Sequence, residues 1–367
     1  MRLLLTACAT TALVVAQPLT ATAAEQGPVG GELMTAKPTV VATGATPPAV
    51  QASAYVVADL DTGDVLAAKA PHAKLRPAST LKTLTALVLL PRLKKTDQVI
   101  GTDADARIVG SKVGVSPGLK YTVDLLFEGM FLASGNDAVN ALCMHDEGGI
   151  EGTIQRMNAK AKALGALDTS VTDPTGLDAD GQYSSAYDLA LFAQAGLQRP
   201  DFAKYASTKF TNFPNTTKGT YQVANQNKLL FKYDGAIGVK TGYTTLARNT
   251  FVGAARRNGH TLVVTMMNAP HGITEDAGNL LTWTFQNYDK LDPVGTLVKP
   301  AEPPKEASGT SNDKPQAAGA LPPARRPAER PIRPVNSFVV STPAWLWAAP
   351  PVLLLGLILR RPRRRRH

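Results

Sequence analysis

The stretch Arg76–Lys82 reads Arg-Pro-Ala-Ser-Thr-Leu-Lys and leads into an apolar run, 84–90, with the length and leucine content of a buried helix. Ser79 and Lys82 are three residues apart, and on a helix such positions share one face. We therefore expect the Lys82 amine to reach the Ser79 hydroxyl at the helix N-terminus, where backbone N–H groups are unpaired. A desolvated lysine can activate a serine as a nucleophile. Taken alone, the stretch also fits a serine cap followed by an exposed lysine.

Two later tripeptides change the interpretation of this stretch. Ser134–Asn136 is Ser-Gly-Asn after an apolar segment, and Lys240–Gly242 is Lys-Thr-Gly at the end of a short apolar strand. Each alone is typical of a turn or a strand end. In order with Ser79 and Lys82 they form the triple S-x-x-K, S-x-N, K-T-G, the signature of serine penicillin-binding proteins and class A β-lactamases. From Ala52 to Leu291 the chain resembles the D-alanyl-D-alanine carboxypeptidases, the low-molecular-mass penicillin-binding proteins.

The resemblance implies a role for each residue of the first two motifs and for the lysine of the third. Ser79 is the expected nucleophile and Lys82 its base. Ser134 is expected to relay a proton to the leaving amine. Asn136 is expected to bond the substrate backbone and to help position Lys82. Lys240 is expected to supply positive charge near Ser134 and the substrate.

The resemblance also implies how the substrate is held. The N–H groups of Ser79 and Tyr243 are expected to form the oxyanion hole, and the Thr241 and Thr244 hydroxyls to bind the terminal carboxylate beside Gly242. The expected substrate is the peptidoglycan stem peptide, with β-lactam antibiotics as covalent inhibitors. No cofactor is implied.

The order of elements predicts an α/β (α+β) domain. Apolar runs flank the turn 61–64 and the Asn-Gly pair 258–259, as in antiparallel hairpins. The segment 122–197, which lies between these two hairpins, is predicted to be mostly helical. We expect an antiparallel sheet of about five strands from both chain ends, flanked by helices, with a helical subdomain inserted in the middle and the active site between the two.

Composition predicts the organisation outside this domain. We expect a signal peptide, a flexible spacer, a Pro-rich stalk, a transmembrane helix and a basic cytoplasmic tail, which places the catalytic domain on the extracytoplasmic face of the cell membrane. The expected boundaries are 1–24, 25–51, 52–291 for the catalytic domain, 292–337, 338–359 and 360–367.

Charge, cysteine and histidine content give no support to a nucleic-acid partner, an internal disulfide or a metal site. The formal net charge is +10, and removing Arg2 and the six arginines of 360–366 leaves about +3, no evidence for a nucleic-acid partner. With Cys8 in the signal peptide, Cys143 has no partner for an internal disulfide. The five histidines show no metal-binding spacing, so a zinc peptidase is poorly supported.

The chain departs from the family pattern in two ways. The family usually places an arginine beyond the second strand of the 258–259 hairpin, to help hold the substrate carboxylate, and 268–279 contains none. Arg248 and Arg256 are the two candidates to replace it. We expect the Pro-rich stalk to occupy the place of the C-terminal β-domain that many relatives carry.

Three alternative functions stay open at this point. A class A β-lactamase uses a glutamate between the second and third motifs to activate water. Here Glu147 and Glu151 lie close to Ser134 in segments predicted to be helical. The later loop contains Asp173 and no glutamate. The others are a non-catalytic penicillin or peptidoglycan sensor, and an endopeptidase that uses the same site.

Overall fold

The computed structural model describes residues 27–217 and 219–299. The predicted signal peptide, transmembrane helix and cytoplasmic tail lie outside the described residues, as does most of the predicted stalk. The strands are β1 Val40–Ala42, β2 Ala54–Asp59, β3 Asp64–Lys69, β4 Gln98–Ile100, β5 Lys120–Thr122, β6 Phe210–Asn215, β7 Gly219–Ala224, β8 Ala236–Thr244, β9 Arg248–Arg257, β10 His260–Ala269 and β11 Gly295–Thr296. The helices are α1 Lys82–Leu89, α2 Asp103–Arg107, α3 Val123–Leu132, α4 Asn136–His145, α5 Gly149–Ala163, α6 Ala186–Leu197, α7 Pro200–Ser207, α8 Leu229–Lys232 and α9 Ile273–Asn287, with 3₁₀ turns at Ala78–Leu81 and Tyr288–Lys290.

The main sheet is antiparallel and is built from both ends of the domain, as predicted. Its order is β1-β3-β2-β10-β9-β8, and β11 also pairs with β3. It has seven strands where we expected about five, because β1 and β11 share the outer edge of β3. These two strands have only three and two residues and lie in Gly- and Pro-rich sequence. They are too short to show the alternation of apolar and polar residues that predicts a strand.

The folded domain is therefore longer than the sequence indicated. Residues 25–51 were expected to be a flexible spacer, but in their described part Val40–Ala42 pairs in register with Ala67–Lys69 of β3. At the other end, Thr296 pairs with Asp64, beyond the expected limit at Leu291. These two strands cover backbone groups of β3 that would otherwise form an open sheet edge.

The sheet separates two hydrophobic cores. Along β2, alternate side chains face opposite sides, as the two-residue period of a strand requires. Val56 packs into the core that contains α6, whereas Val57 packs into the core that contains Leu280 of α9. Of the helices that the structure describes, none combines the length and hydropathy needed to cross a bilayer.

The helical subdomain lies between β3 and β8 in sequence and surrounds α1. All eight residues of α1 are buried, including Lys82 at its first position. Its neighbours include α5 and α6, which enclose it on more than one side. Because α1 is buried along its whole length, the Lys82 side chain is shielded from water. Such burial disfavours the charged form of a lysine.

Candidate active site

The nucleophile candidate lies in a tight turn that leads into α1. Ser79 belongs to the 3₁₀ turn Ala78–Leu81, and Lys82 begins the α-helix. Side chains three residues apart eclipse each other in such a turn, and Lys82 Nζ lies 2.8 Å from Ser79 Oγ. Ala78, just before Ser79, has φ 47°, in the left-handed region that non-glycine residues rarely occupy. The predicted contact is present, on a 3₁₀ turn at the start of the helix.

Lys82 Nζ makes three short polar contacts. Besides Ser79 Oγ, it lies 2.7 Å from Asn136 Oδ1 and 2.6 Å from the backbone oxygen of Thr175. The side chain is 1% exposed. Burial, and then the nearby charge of Lys240, lower the Lys82 pKa well below its ordinary value. The lowered pKa favours an uncharged amine.

Asn136 connects the second motif to Lys82. It is the first residue of α4, it is 2% exposed, and its Nδ2 donates to the backbone oxygen of Val109 at 2.8 Å. Both ends of the Asn136 amide are thus bonded within the protein. This arrangement fits the expected positioning of Lys82 and gives no support to a bond with the substrate backbone.

Thr175 is one member of the site that sequence reasoning missed. The loop that carries Asp173 was noted in the sequence, but a backbone carbonyl leaves no side-chain signal. Gly176 at φ 84° allows the turn to pack tightly, since a Cβ there would lie 2.0 Å from the Ala78 oxygen. Asp173 Oδ1 accepts the N–H groups of Thr175 and Gly176 and thereby fixes the turn.

The third motif lies directly against the nucleophile turn. A Cβ at Gly242 would come within 2.8 Å of the Ser79 nitrogen, so only glycine lets β8 approach this closely. On β9, Thr250 Oγ1 donates to the Pro77 oxygen at 2.8 Å. The sheet edge and the 3₁₀ turn are therefore fixed side by side, although their motifs are separated by more than 150 residues in sequence.

Ser134 and Lys240 are both buried, but they differ in their hydrogen bonding. Ser134 has φ 58° and is buried, and its Oγ has no hydrogen-bond partner among the described residues. Lys240 is 1% exposed, its Nζ donates to the Thr241 oxygen at 2.7 Å, and burial lowers its pKa to about 7. Ser134 borders a cleft of about 310 Å³ that Ser79, Thr241 and Gly242 also line.

The remaining predicted binding residues separate into two kinds. Tyr243 lines the cleft and is 65% exposed. Thr244 Oγ1 donates instead to Asp178 Oδ1 at 2.9 Å and accepts the Ala247 N–H at 3.0 Å, outside the cleft lining. The Thr244 hydroxyl is thus engaged within the protein, which gives the expected carboxylate contact no support.

Neither arginine proposed to replace the family arginine lines the cleft. Arg256 lies at the far end of β9, where its Nε donates to Thr261 Oγ1 at 3.0 Å. Arg248 begins β9 opposite Thr244 and is exposed. The sequence could not separate the two because strand register decides which end of β9 reaches the site.

One group of metal-binding side chain types occurs in the described part of the chain, outside the cleft. His72, Asp168 and Asp188 place their ligand atoms within 4.8 Å of one another. His72 bonds Asp168 through Nδ1 at 2.6 Å and the Val29 oxygen through Nε2 at 2.8 Å. Hydrogen bonds within the protein account for both ring nitrogens.

Comparisons with known proteins identify the family of this chain. Residues 41–271 match the family described as D-alanyl-D-alanine carboxypeptidase. DacB2, a D-alanyl-D-alanine carboxypeptidase of Mycobacterium tuberculosis, is 44% identical over 229 residues, which are 62% of this chain and 77% of that protein. DacF, a D-alanyl-D-alanine carboxypeptidase of Bacillus subtilis, is 32% identical over 65% of this chain, which spans 63% of the length of DacF.

A solved structure gives the same result for the fold. The crystal structure of D-alanyl-D-alanine carboxypeptidase from M. tuberculosis H37Rv is similar with a TM-score of 0.65 at 40% identity. The similarity covers 71% of this chain and 99% of that one. With its three motifs gathered around one cleft, the chain belongs to the D-alanyl-D-alanine carboxypeptidase family of serine peptidases.

Proposed function

We propose that this protein removes the terminal D-alanine of peptidoglycan stem peptides through an acyl-enzyme on Ser79, and that penicillin acylates the same oxygen. The observation that carries the proposal is the set of three partners around the buried Lys82 amine. An uncharged amine has two N–H donors and one lone pair. Asn136 Oδ1 and the Thr175 oxygen can only accept, so they take the two donors. The lone pair is then directed at the remaining partner, the Ser79 hydroxyl.

In the acylation step, the Ser79 O–H proton passes to Lys82 Nζ as Oγ bonds to the peptide carbonyl carbon. The amine becomes an ammonium whose third hydrogen occupies the former lone-pair position. The negative charge on the carbonyl oxygen is received by the N–H groups of Ser79 and Tyr243. Gly242 supports this assignment because it brings β8 next to the Ser79 nitrogen. One such donor contributes about 3 kcal/mol to transition-state stabilisation.

In the second half of acylation, Ser134 gives its hydroxyl proton to the leaving nitrogen and receives in return the proton that Lys82 Nζ took from Ser79. Two observations support this role. The Ser134 Oγ forms no hydrogen bond with a described residue, and Ser134 borders the cleft. Lys240 contributes positive charge beside it. The C–N bond breaks, D-alanine leaves, and water then hydrolyses the ester on Ser79. A positioned proton donor of this kind accelerates a reaction roughly 10²–10⁴-fold.

The function is tested by incubating the full-length chain with a pentapeptide that ends in D-Ala-D-Ala and measuring free D-alanine. We expect release by the wild type, and loss of both release and penicillin labelling in Ser79→Ala. A matched control is Ser111→Ala, since Ser111 also lines the cleft without belonging to a motif. Undiminished release by Ser79→Ala would contradict the proposal.

The described residues do not provide the water-activating glutamate of a class A β-lactamase. A class A β-lactamase hydrolyses its penicilloyl enzyme with water that a glutamate activates, but here Glu147 is 94% exposed. Among the described residues, no glutamate is hydrogen-bonded to Ser79 or Lys82. We expect the penicillin adduct to persist on the enzyme. Rapid release of labelled penicillin would favour the lactamase, and stable labelling without D-alanine release would favour a sensor.

We further propose that the catalytic domain is exported and held at the outer face of the cell membrane. The apolar residues of 1–24 and 338–359, with arginines after the second segment, support this. The test is protease treatment of intact spheroplasts, where the domain should be digested while the protein sediments with membranes. Protection from protease in intact spheroplasts would contradict it.

A further inference from the structure

We propose that Lys228 is the cation that recognises the terminal carboxylate of the substrate, which makes it a specificity-determining residue of this enzyme. The inference rests on the proposed function. A peptide that ends in D-Ala-D-Ala carries a free carboxylate next to the bond that breaks. Taking that carboxylate out of water is costly unless a cation or several donors receive it.

Lys228 is the charged side chain on the cleft wall. In the part of the chain that the structure describes, the other residues of the cleft lining are uncharged. Lys228 is exposed, and it forms no ion pair or hydrogen bond with a described residue through its amine. Glu275 belongs to the lining of an adjoining cavity and makes no ion pair with it. The Lys228 charge is therefore available to a ligand.

The other nearby cations are occupied or badly placed. The Lys82 amine is enclosed by its three partners, and Lys240 Nζ donates to the Thr241 oxygen. Arg256 is bonded to Thr261 at the far end of β9. Arg248 does not line the cleft. Lys228 is thus the charged residue of the described cleft lining, and its amine has no described partner, so it can bring a positive charge to a carboxylate bound beside Ser79.

The backbone of Lys228 is tied to the loop of the second motif. Gln226, two residues earlier, donates through its backbone N–H to the Leu132 oxygen at 3.0 Å and through Nε2 to the Ala133 oxygen at 3.1 Å. These two residues immediately precede Ser134. The buried Asn227 then accepts the Leu229 N–H at 3.1 Å and starts α8. Lys228 is therefore held at a fixed position relative to Ser134, although its side chain is exposed.

Two hydroxyls complete the arrangement. Thr241 and Thr274 line the cleft together with Lys228, and neither hydroxyl forms a hydrogen bond with a described residue. One ammonium and two hydroxyl donors can satisfy the oxygens of a carboxylate. Lys228 and Thr274 also border the adjoining cavity of about 570 Å³, so this end of the cleft opens toward solvent.

The test compares two substrates that differ only at the carboxylate. The full-length chain is given a pentapeptide ending in D-Ala-D-Ala, or the same peptide with a C-terminal amide, and release of D-alanine or D-alaninamide is measured. For Lys228→Met we expect kcat/KM to fall about 10–100-fold with the acid, mainly through KM, and to change less than about twofold with the amide. Lys228→Arg should retain most of the activity on the acid.

Lys232→Met is the matched control, because Lys232 lies one helical turn along and borders only the adjoining cavity. It should leave both substrates unaffected. Equal losses on acid and amide, no loss on the acid, or an equal effect of Lys232→Met would each overturn the assignment. If the wild type releases D-alanine and Lys228→Met matches it, only this inference fails. A wild type that releases no D-alanine would overturn the proposed function as well.

Discussion

The two sides of the active site differ in how far their polar groups are bonded within the protein. On the nucleophile side, Lys82 reaches Ser79, Asn136 and Thr175, and each contact is 2.8 Å or shorter. On the opposite side, the Ser134 hydroxyl is buried without a partner among the described residues. The first side is organised before substrate arrives, whereas the second leaves donors and acceptors for the substrate to complete. Such preorganisation reduces the rearrangement needed during reaction.

The largest effect is expected on the organised side. Lys82→Met keeps the length of the side chain but removes the base, so D-alanine release should fall roughly 10³–10⁴-fold. The measurement is kcat with the pentapeptide. Lys74→Met is a suitable control, because Lys74 precedes the motif and lies outside the cleft lining. A loss of less than tenfold for Lys82→Met would show that another group accepts the Ser79 proton.

The contrast between the two sides is sharpened by Ser134→Ala and Asn136→Ala. Ser134→Ala removes a hydroxyl that bonds no described residue, so we expect kcat to fall about 10²-fold with little change in the free energy of unfolding. Asn136→Ala leaves Lys82 and the Val109 oxygen short of a partner. It should reduce the free energy of unfolding by about 1–3 kcal/mol in addition to lowering kcat.

Both variants are measured by denaturant unfolding alongside D-alanine release. If Ser134→Ala proved as destabilising as Asn136→Ala, the distinction between the organised side and the substrate-completed side would be wrong.

A smaller effect concerns pH and the buried Lys240. Burial lowers its pKa in the folded protein to about 7, against 10.5 for an ordinary lysine. Between these values the unfolded chain binds more protons than the folded one, so the free energy of unfolding should rise with pH from about pH 7 toward 10.5. Lys240→Met should show a shallower rise. Thermal unfolding of the two proteins across this range is the measurement, and identical slopes would refute the assignment.

The smallest effect is expected at Thr244, whose hydroxyl is bonded to Asp178. Thr244→Val should lower the free energy of unfolding by about 1 kcal/mol and change KM for the pentapeptide less than threefold or so. Thr241→Val is the matched comparison, because the Thr241 side chain lines the cleft, and its KM should rise about tenfold. A larger KM increase for Thr244→Val would restore the expected carboxylate contact.

What could be predicted from sequence follows from how local each signal is. The contact of Ser79 with Lys82 depends on a spacing of three residues, and the antiparallel sheet depends on alternation within its long strands. Both predictions were confirmed. The part played by Thr175 could not be predicted, because it depends on a backbone carbonyl brought to Lys82 by a distant turn. Strands β1 and β11 were missed because their pairing with β3, rather than their composition, makes them strands.

The orientation of the Thr244 and Arg256 side chains could not be predicted from the sequence either. The first bonds Asp178, and the second lies at the wrong end of its strand. Both outcomes depend on register and on neighbours far away in the chain. Motifs therefore identified which segments meet, while the structure was needed to decide which atoms in them are free.

The central claim is that Ser79 Oγ is the nucleophile and that the buried Lys82 amine makes it reactive. The most direct measurement is peptide-mapping mass spectrometry of the full-length chain during exposure to penicillin, with the adduct located and its rate of formation followed in the wild type and in Lys82→Met. The account predicts an adduct on Ser79 that forms rapidly in the wild type and at least about a thousandfold more slowly in Lys82→Met. An adduct on any other side chain, or equal rates in the two proteins, would contradict it.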